Sequence, residues 1–280
     1  MNIIEVKNLR FSYSKDEKDE VIKGIDLNIE HGEFISIIGR NGSGKSTLAG
    51  LLSALIMPDH GEIYINGINT KDESKNFDLR QTIGVIFQNP DNQLVSTIVE
   101  DDVAFALENL GVEPKEMENR IACALKSVDM LDYLKHSTHM LSGGQKQKIA
   151  IAGILAMNPS ILVMDEPTAM LDPIGRKNLI ETIKKLNEKE NKTIILVTHH
   201  MSEAIYAKRI FVLNEGKKII EGTPKEVFSN VEKIKKIGLD VPQPTELIHE
   251  LNKYEFNLKC DILTVEECVN ELTKIFKENK

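Results

Sequence analysis

A glycine-rich stretch near the start of the chain has the residue types and spacing needed to hold a chain of phosphates. Its glycines permit a tight turn in which consecutive backbone N–H groups point inward. Lys45 can then reach the β- and γ-phosphates, and the Ser46 hydroxyl can bind Mg²⁺. The stretch therefore predicts a nucleoside-triphosphate site with Mg²⁺, formed by Gly39, Arg40, Asn41, Gly42, Ser43, Gly44, Lys45, Ser46 and the following Thr47.

Two carboxylates later in the chain can complete such a site. Residues 161–166 read ILVMDE, so Asp165 and Glu166 follow four apolar residues at the end of a predicted strand. Asp165 suits the water shell of the metal, and Glu166 suits a general base that polarises the attacking water. An Asp-Glu pair at a strand end is also common in surface turns. Its occurrence together with the phosphate loop favours the catalytic interpretation.

These residues need a particular arrangement of elements to meet. Short β-branched runs at residues 3–6, 11–13, 25–29 and 34–38 predict a β-rich first 85 residues with one helix, Lys45–Leu55, that starts in the phosphate loop. Residues 90–140 have helical periodicity. Apolar strands at 161–164 and 193–198, separated by a helix over 175–188, indicate a buried parallel sheet. Thr264 and Glu267 form a capping-box pattern before a last helix with apolar positions at Cys268, Val269, Leu272, Ile275 and Phe276.

A second glycine motif precedes another apolar helix. Residues 141–145 read LSGGQ. Gly143 and Gly144 at a helix start, beside the Ser142 hydroxyl and Gln145, form either a backbone anion site or a plain helix cap. The motif alone does not decide between these two roles.

The combination of these motifs resembles the ATP-binding cassette (ABC) ATPases over about residues 1–225. The resemblance implies an α/β fold of the P-loop NTPase type, with a RecA-like parallel sheet, an antiparallel β subdomain and a helical subdomain at about residues 90–145. Residues 226–280 are then a small C-terminal helical extension that helps hold two ATPases together. In the family two cassettes pair head to tail, and the LSGGQ motif of one closes on the ATP held by the other. ATP and Mg²⁺ are the implied cofactors.

The resemblance also assigns roles to single residues. Tyr13, in a predicted strand, matches the aromatic that stacks on adenine, with a core tyrosine as the alternative. Gln88 matches the glutamine that senses metal and water, Asp172 the D-loop at the dimer seam, and His199 the switch histidine that contacts the γ-phosphate. Two positions depart from the usual pattern. Lys148 replaces an arginine, and His200, which we expect to be a solvated neighbour of His199, replaces an aspartate.

One short motif narrows the resemblance to a subfamily. Residues 87–93 read FQNPDNQ, which is similar to the energy-coupling factor (ECF) importers and their cobalt/nickel relatives, and residues 168–173 look like the first of the two A-type ATPases in such complexes. The implied partners are a second A-type ATPase, in a heterodimer or a homodimer, a membrane T component, and substrate-binding S components for vitamins or metal ions. The implied location is the cytoplasmic face of the cell membrane, as a peripheral protein.

Composition excludes several other classes. With 35 Lys and Arg against 43 Asp and Glu, the net charge is −8, which argues against a nucleic-acid partner. We expect no signal peptide and no membrane-spanning segment, and the three cysteines lack metal or redox spacing. One P-loop and one LSGGQ argue against a two-cassette ribosomal protein, and the short intervening segment argues against a DNA-repair ATPase. The ATPase of a non-ECF importer remains the main alternative, and a soluble ABC ATPase without a transport role is a weaker one.

Overall fold

The computed structural model describes the backbone of residues 1–14 and 19–278, and the side chains through residue 274. Two sheets carry the fold. The strands, in chain order, are β1 (Asn2–Ser12), β2 (Glu20–Glu30), β3 (Phe34–Gly39), β4 (His60–Ile65), β5 (Ile68–Asn69), β6 (Ile83–Ile86), β7 (Ile161–Asp165), β8 (Thr193–Val197), β9 (Arg209–Asn214) and β10 (Lys217–Gly222).

The central sheet has the strand order β10-β9-β3-β8-β7-β6. Its strands pair in parallel from β6 to β9, and β10 joins the edge antiparallel. Every residue of β3 and β8 is buried, because helices or the second sheet cover both faces. The sheet therefore confirms the predicted α/β class, and its carboxyl edge brings together the ends of β3, β7 and β8. The strands β9 and β10 were not predicted.

The second sheet is antiparallel, with the order β2-β1-β4-β5. Two strand boundaries differ from the prediction. The runs at residues 3–6 and 11–13 belong to one strand, β1, whose register shifts between Val6 and Arg10 allow it to remain continuous. That strand ends at Ser12, so the placement of Tyr13 within a strand was wrong. Tyr13 lies in the bend that follows.

Helices flank the sheets and fill the segments between them. The first helix is shorter than predicted and ends at Leu52, because Ala54 adopts a left-handed conformation (φ 55°). A second helix in this half was missed, since only Leu79 among its residues is buried and the apolar pattern is weak. The helices are α1 (Lys45–Leu52), α2 (Asn76–Thr82), α3 (Val99–Asn109), α4 (Pro114–Ser127), α5 (Gly143–Met157), α6 (Pro173–Glu190), α7 (Met201–Ala204), α8 (Pro224–Phe228), α9 (Val231–Lys236), α10 (Gln243–Asn252) and α11 (Val265–Glu278).

The C-terminal helices form two packing groups. Residues of α8 and α9, followed by Leu239 and Val241, share a core with Ile38 of β3 and Met201 of α7. Helices α10 and α11 instead share a small separate cluster of Ile248, Leu258, Ile262 and Cys268. The predicted capping box is present: the Glu267 N–H donates to Thr264 Oγ1, and the Thr264 N–H donates to a Glu267 carboxylate oxygen. The side chains of Ile275 and Phe276 lie outside the described residues. Within the described part of the chain, no helix combines the length and the apolar character needed to cross a membrane.

A buried ion pair joins the two sheets. The Arg209 guanidinium on β9 donates to both oxygens of Glu33 at 2.9 Å and to the Asn28 carbonyl oxygen on β2 at 2.6 Å. Glu33 is almost fully buried. Removing one partner of such a pair leaves a buried charge without compensation, which typically costs about 3–5 kcal/mol.

We therefore expect Arg209→Met to lower the free energy of unfolding by about 3 kcal/mol in a urea titration. The adjacent Lys208 provides a matched control, because it pairs with Glu30 and both side chains are more than half exposed. Lys208→Met should change stability by less than about 1 kcal/mol. Equal effects of the two substitutions would contradict the assignment of Arg209 to a stabilising junction.

Candidate functional site

The phosphate loop connects β3 to α1 at the carboxyl edge of the central sheet. In the structure the Lys45 ammonium donates to the carbonyl oxygens of Gly39 at 2.8 Å and Arg40 at 3.1 Å, so it lies across the mouth of the loop. Burial lowers the pKa of Lys45, and the negative charges of Glu166 and Asp165 oppose that shift. A cation held in this way can exchange carbonyl oxygens for phosphate oxygens with a small movement.

Two glycines in the loop are required by its geometry. A Cβ on Gly39 would lie 2.5 Å from the Leu213 carbonyl oxygen and 2.5 Å from Ser43 Oγ. Gly44 has a φ of 98°, and a Cβ there would lie 2.9 Å from Ile22 Cδ1. Side chains at these positions would clash and distort the loop backbone, which is the physical reason for glycine at both of them.

Asp165 ends β7 beside the loop. Burial raises the pKa of its carboxyl group and the charge of Glu166 adds to this, whereas a hydrogen bond with Ser46 and the charge of Lys45 oppose it. Its Oδ1 atom is buried and has no hydrogen-bond partner among the residues that the structure describes. Such an unpartnered oxygen next to a serine hydroxyl fits Mg²⁺, which usually binds one or two protein oxygens together with water and phosphates.

Glu166 brings the predicted catalytic side chains together. Its Oε2 atom lies 2.9 Å from Nε2 of Gln88, which follows β6, and 3.1 Å from Nδ1 of His199, which follows β8. Its backbone is left-handed (φ 49°), and its N–H donates to the Val197 carbonyl oxygen at 2.9 Å. Three neighbouring strand ends thus place an amide, a carboxylate and an imidazole around one point.

These groups line one open cavity of about 960 Å³. Its volume accommodates a nucleotide, since ligand cavities typically measure roughly 300–1,000 Å³. Most of the phosphate loop and all three converging side chains line it. The lining residues are Val21, Gly39, Arg40, Asn41, Gly42, Gly44, Lys45, Ser46, Thr47, Gln88, Glu166, His199, Met201, Gly238, Leu239 and Asp240. Ser43 lies within the loop, with its Oγ buried.

Tyr13 lies next to this cavity but does not line it. Its ring is 69% exposed and makes an edge contact with Phe11 at 4.9 Å. Its hydroxyl is 3.2 Å from Thr47 Oγ1, in the first turn of α1. The exposure rules out the alternative of a core tyrosine, and the ring is accessible for stacking.

The LSGGQ motif and Asp172 lie outside this cavity. Ser142 and Gln145 form a reciprocal capping box at the start of α5. Gly144 approaches the Met170 carbonyl oxygen, which would lie 3.1 Å from a Cβ at that position. Asp172 caps α6 by accepting the Gly175 N–H at 2.9 Å. The motif is therefore a helix cap within the chain, and it does not line the cavity that the phosphate loop lines.

Side-chain contacts tie the segment after β6 to the start of α5. The Lys146 ammonium lies 2.7 Å from Asp91 Oδ1. The Gln147 side chain donates to the Phe87 carbonyl oxygen at 3.1 Å, and Gln93 donates to the Ala150 carbonyl oxygen at 3.2 Å. These three contacts hold the segment against the helix that begins in LSGGQ.

His200 is not the solvated neighbour that the sequence suggested. It is half-buried, its ring packs against that of His199 at a tilt of 42° with centroids 4.0 Å apart, and its Nδ1 lies 3.4 Å from Arg176 Nη1. Burial lowers its pKa, with Glu203 opposing the shift and the neighbouring His199 and Arg176 side chains adding to it. Its packing against α6 could not be read from a residue that simply follows an apolar strand.

Three residues that line the cavity were not predicted from the sequence. Gly238, Leu239 and Asp240, from the C-terminal extension, line it beside Arg40 of the phosphate loop. Gly238 has a φ of 72°, and a Cβ there would lie 3.0 Å from Arg40 Cδ. In the sequence, this region was assigned only a role in holding two ATPases together. Its single glycine in a charged region was the available signal for a close approach.

Comparisons with known proteins agree with this geometry. Residues 22–169 match the family model described as ABC transporter. The chain is 53% identical over 276 residues to the energy-coupling factor transporter ATP-binding protein EcfA1 of Clostridium novyi, covering 98% of this chain and 99% of that one. It is 55% identical over 269 residues to the protein of the same name from Caldanaerobacter subterraneus subsp. tengcongensis, covering 95% and 97%.

Solved structures give the same result. CbiO1 from Clostridium perfringens, described as part of the ABC transporter complex cbiONQ, has a TM-score of 0.75 at 37% identity and covers 89% of this chain and 99% of its own. A dimeric post-hydrolysis structure of the cassette MJ0796 bound to ADP and Pi has a TM-score of 0.74 at 34% identity, with coverages of 79% and 98%. The chain therefore belongs to the ABC transporter family, and within it to the ATP-hydrolysing, ATP-binding proteins of energy-coupling factor transporters.

Proposed function

We propose that Glu166 activates the water that attacks the γ-phosphate of ATP, with Gln88 and His199 holding the reacting groups around it. The observation that carries this proposal is the convergence of Gln88 and His199 on one oxygen of Glu166 at the edge of the cavity. A carboxylate held between an amide and an imidazole has a fixed orientation, which is what a general base requires.

The other residues of the site contact the phosphates, the adenine ring or the metal ion. The backbone of Gly39–Gly44 and the Lys45 ammonium bind the phosphates, while Ser46, Gln88 and Asp165 hold Mg²⁺. Thr47 and Tyr13 lie on the side where the adenosine end of ATP would emerge, and Tyr13 stacks on the adenine ring. When bound, Mg²⁺ neutralises charge that develops on the phosphates. The unpartnered Asp165 oxygen supports the metal assignment.

A second cassette completes the site. Ser142–Gln145 and Asp172 lie outside the cavity of their own chain, and the LSGGQ helix start carries backbone N–H groups that suit a phosphate. We propose that they close on the ATP of a partner, in a heterodimer with a similar A-type ATPase or in a homodimer. The dimeric state of the related cassette MJ0796 supports this.

The division of the chain follows from these roles. Residues 1–225 form the ATPase domain, residues of about 90–145 its helical subdomain, and residues 226–280 an extension that contacts the partner ATPase. Helices α8 and α9 pack on the core of the ATPase domain, so the separate small core of α10 and α11 supports the contact role for that part of the extension. The protein works on the cytoplasmic face of the membrane, with a T component and exchangeable S components that select vitamins or metal ions.

Co-purification tests this assignment directly. The full-length chain, expressed with the T component and second ATPase of the same genome, should be retained with them and should hydrolyse ATP in the complex. Retention with permease subunits of another class would identify a non-ECF importer. Failure to be retained with any membrane subunit would contradict a role in transport.

We expect Val95 to mark the surface that receives a cytoplasmic helix of the membrane subunit. Val95 is 62% exposed, and it follows Asn92, which is exposed, and Leu94, which packs against the helical core. Val95→Asp places a charge in that apolar contact and should lower uptake about tenfold while leaving ATP affinity unchanged. Vesicle uptake and nucleotide-binding titrations measure the two effects.

Phe77 provides the matched control, because it is 59% exposed but lies on α2. Phe77→Asp introduces the same charge and should leave uptake at the wild-type rate. If both substitutions reduce uptake equally, the Val95 surface has no special part in coupling.

A further inference from the structure

Glu203, on the short helix α7, is a buried carboxylate that the proposed mechanism does not use. Its side chain is 2% exposed, and it does not line the nucleotide cavity. Burying a carboxylate is costly unless charges and hydrogen bonds compensate it. The residues that compensate the buried charge of Glu203 therefore indicate the role of this side chain.

Two threonine hydroxyls donate to its two oxygens. Thr168 Oγ1 donates to Oε1 at 2.6 Å, and Thr198 Oγ1 donates to Oε2 at 2.6 Å. Thr168 lies two residues after Glu166, and Thr198 lies immediately before His199. One carboxylate thus joins the chain segment that follows the proposed base to the segment that carries the proposed switch histidine.

Arg176 supplies the compensating charge from a third segment. Its Nε atom is 3.7 Å from Glu203 Oε1, and its Nη1 atom is 3.4 Å from His200 Nδ1. Arg176 lies in the first turn of α6, the helix capped by Asp172. The network around Glu203 therefore also reaches the segment that we place at the dimer seam.

The backbone of Glu166 needs such support. A left-handed conformation at a residue other than glycine costs roughly 1–3 kcal/mol and persists only when its surroundings hold it. The Glu166 N–H donates to Val197, the residue before Thr198, so the same two segments meet here as well. These two segments also carry the 3.1 Å contact between Glu166 Oε2 and His199 Nδ1.

We propose that Glu203 is a positioning residue, which holds Glu166 and His199 at their working separation by binding Thr168 and Thr198 at once. This inference rests on the proposed function, because it concerns the geometry of the proposed base and switch histidine. It predicts an effect on the rate of the chemical step, since small misplacements of reacting groups can cost about 100-fold. It predicts no comparable effect on ATP binding, because Lys45 and the phosphate loop lie apart from this network.

The test compares kcat, KM and ATP affinity of full-length variants, assayed with the cognate second cassette in ATP–Mg²⁺. Glu203→Ala should lower kcat roughly 10- to 100-fold, while the Kd for ATP changes less than about twofold. Thr168→Val and Thr198→Val remove one hydroxyl each and should also lower kcat. Thr168→Ser and Thr198→Ser keep the hydroxyl and should restore turnover to near the wild-type value.

Glu33→Gln is the matched control for a merely structural role. Glu33 is also buried and paired with an arginine, but its partner is Arg209 at the sheet junction. Both Glu33→Gln and Glu203→Gln should lower the melting temperature, whereas only Glu203→Gln should lower kcat below that temperature. Equal kcat values for these two variants, or a loss of ATP affinity that parallels the loss of kcat at Glu203, would overturn the proposal.

Two reference variants separate this inference from the proposed function. Glu166→Gln and His199→Ala should each abolish most turnover. If they do so while Glu203→Ala retains wild-type kcat, the positioning role is wrong and the roles of Glu166 and His199 stand. If Glu166→Gln itself retains turnover, the proposed base is wrong, and with it the basis of the positioning role.

Discussion

Glu166→Gln is expected to reduce ATP hydrolysis by about 10²- to 10⁴-fold, the usual contribution of a positioned general base. Glutamine keeps the shape of the side chain and can still accept the hydrogen bond that Gln88 donates to Oε2. It removes the proton acceptor. ATP binding should survive, because Lys45 and the loop amides are unchanged.

The Glu166→Gln variant should also show whether two cassettes associate. With hydrolysis blocked, ATP remains between the Ser142–Gly144 segment of one cassette and Lys45 of its partner. Sizing chromatography with the cognate cassette should therefore show a dimer in ATP–Mg²⁺ that is lost in ADP. Glu188→Gln makes the same chemical change at an exposed position of α6 and should leave turnover and assembly unaffected.

Two results would contradict these expectations. Turnover near the wild-type rate in Glu166→Gln would show that another group accepts the proton. Absence of an ATP-dependent dimer, both for the chain alone and with its cognate cassette, would show that the LSGGQ motif does not close on a partner's nucleotide.

The central fold was predictable because its signals are local. Strands buried on both faces are continuous apolar runs, such as residues 161–164, and Gly39 and Gly44 mark positions of the phosphate loop where a Cβ would clash. The positions of Asp165 and Glu166 follow from the rule that parallel strands end at one edge. Helix α2 gives no such signal, because a single buried residue produces no periodicity.

The parts that were missed depend on contacts between distant residues. Glu203 reads as an ordinary helical glutamate until Thr168, 35 positions earlier, is placed against it. The role of Gly238 as a wall of the cavity depends on Arg40, almost 200 residues away in sequence. His200 contacts Arg176 of α6, which lies 24 positions earlier in the chain. No rule of residue spacing predicts contacts between residues so far apart in the chain. The motifs can therefore be recognised in the sequence, whereas the residues that hold them in place cannot.

Lys45→Ala is expected to remove most ATP hydrolysis and to weaken ATP binding. Its ammonium is the side-chain cation positioned across the mouth of the loop, where it now donates to the Gly39 and Arg40 carbonyl oxygens. Losing a charge-assisted contact to phosphate costs about 1.5–3 kcal/mol, which corresponds to a 10- to 150-fold loss of affinity. Fluorescent-nucleotide titration and phosphate release measure the two effects.

Lys192 offers the matched control for this substitution. It too is a lysine whose pKa is lowered by burial, and it donates to the Asn158 carbonyl oxygen at 3.2 Å, but it does not line the nucleotide cavity. Lys192→Ala removes the same charge and should leave ATP affinity and turnover unchanged. If Lys45→Ala hydrolyses ATP at the rate of Lys192→Ala, the loop at residues 39–46 does not bind the phosphates, and the assignment of the whole cavity fails. A selective loss at Lys45 requires a phosphate within reach of that one ammonium group, because the change in net charge is the same in both variants.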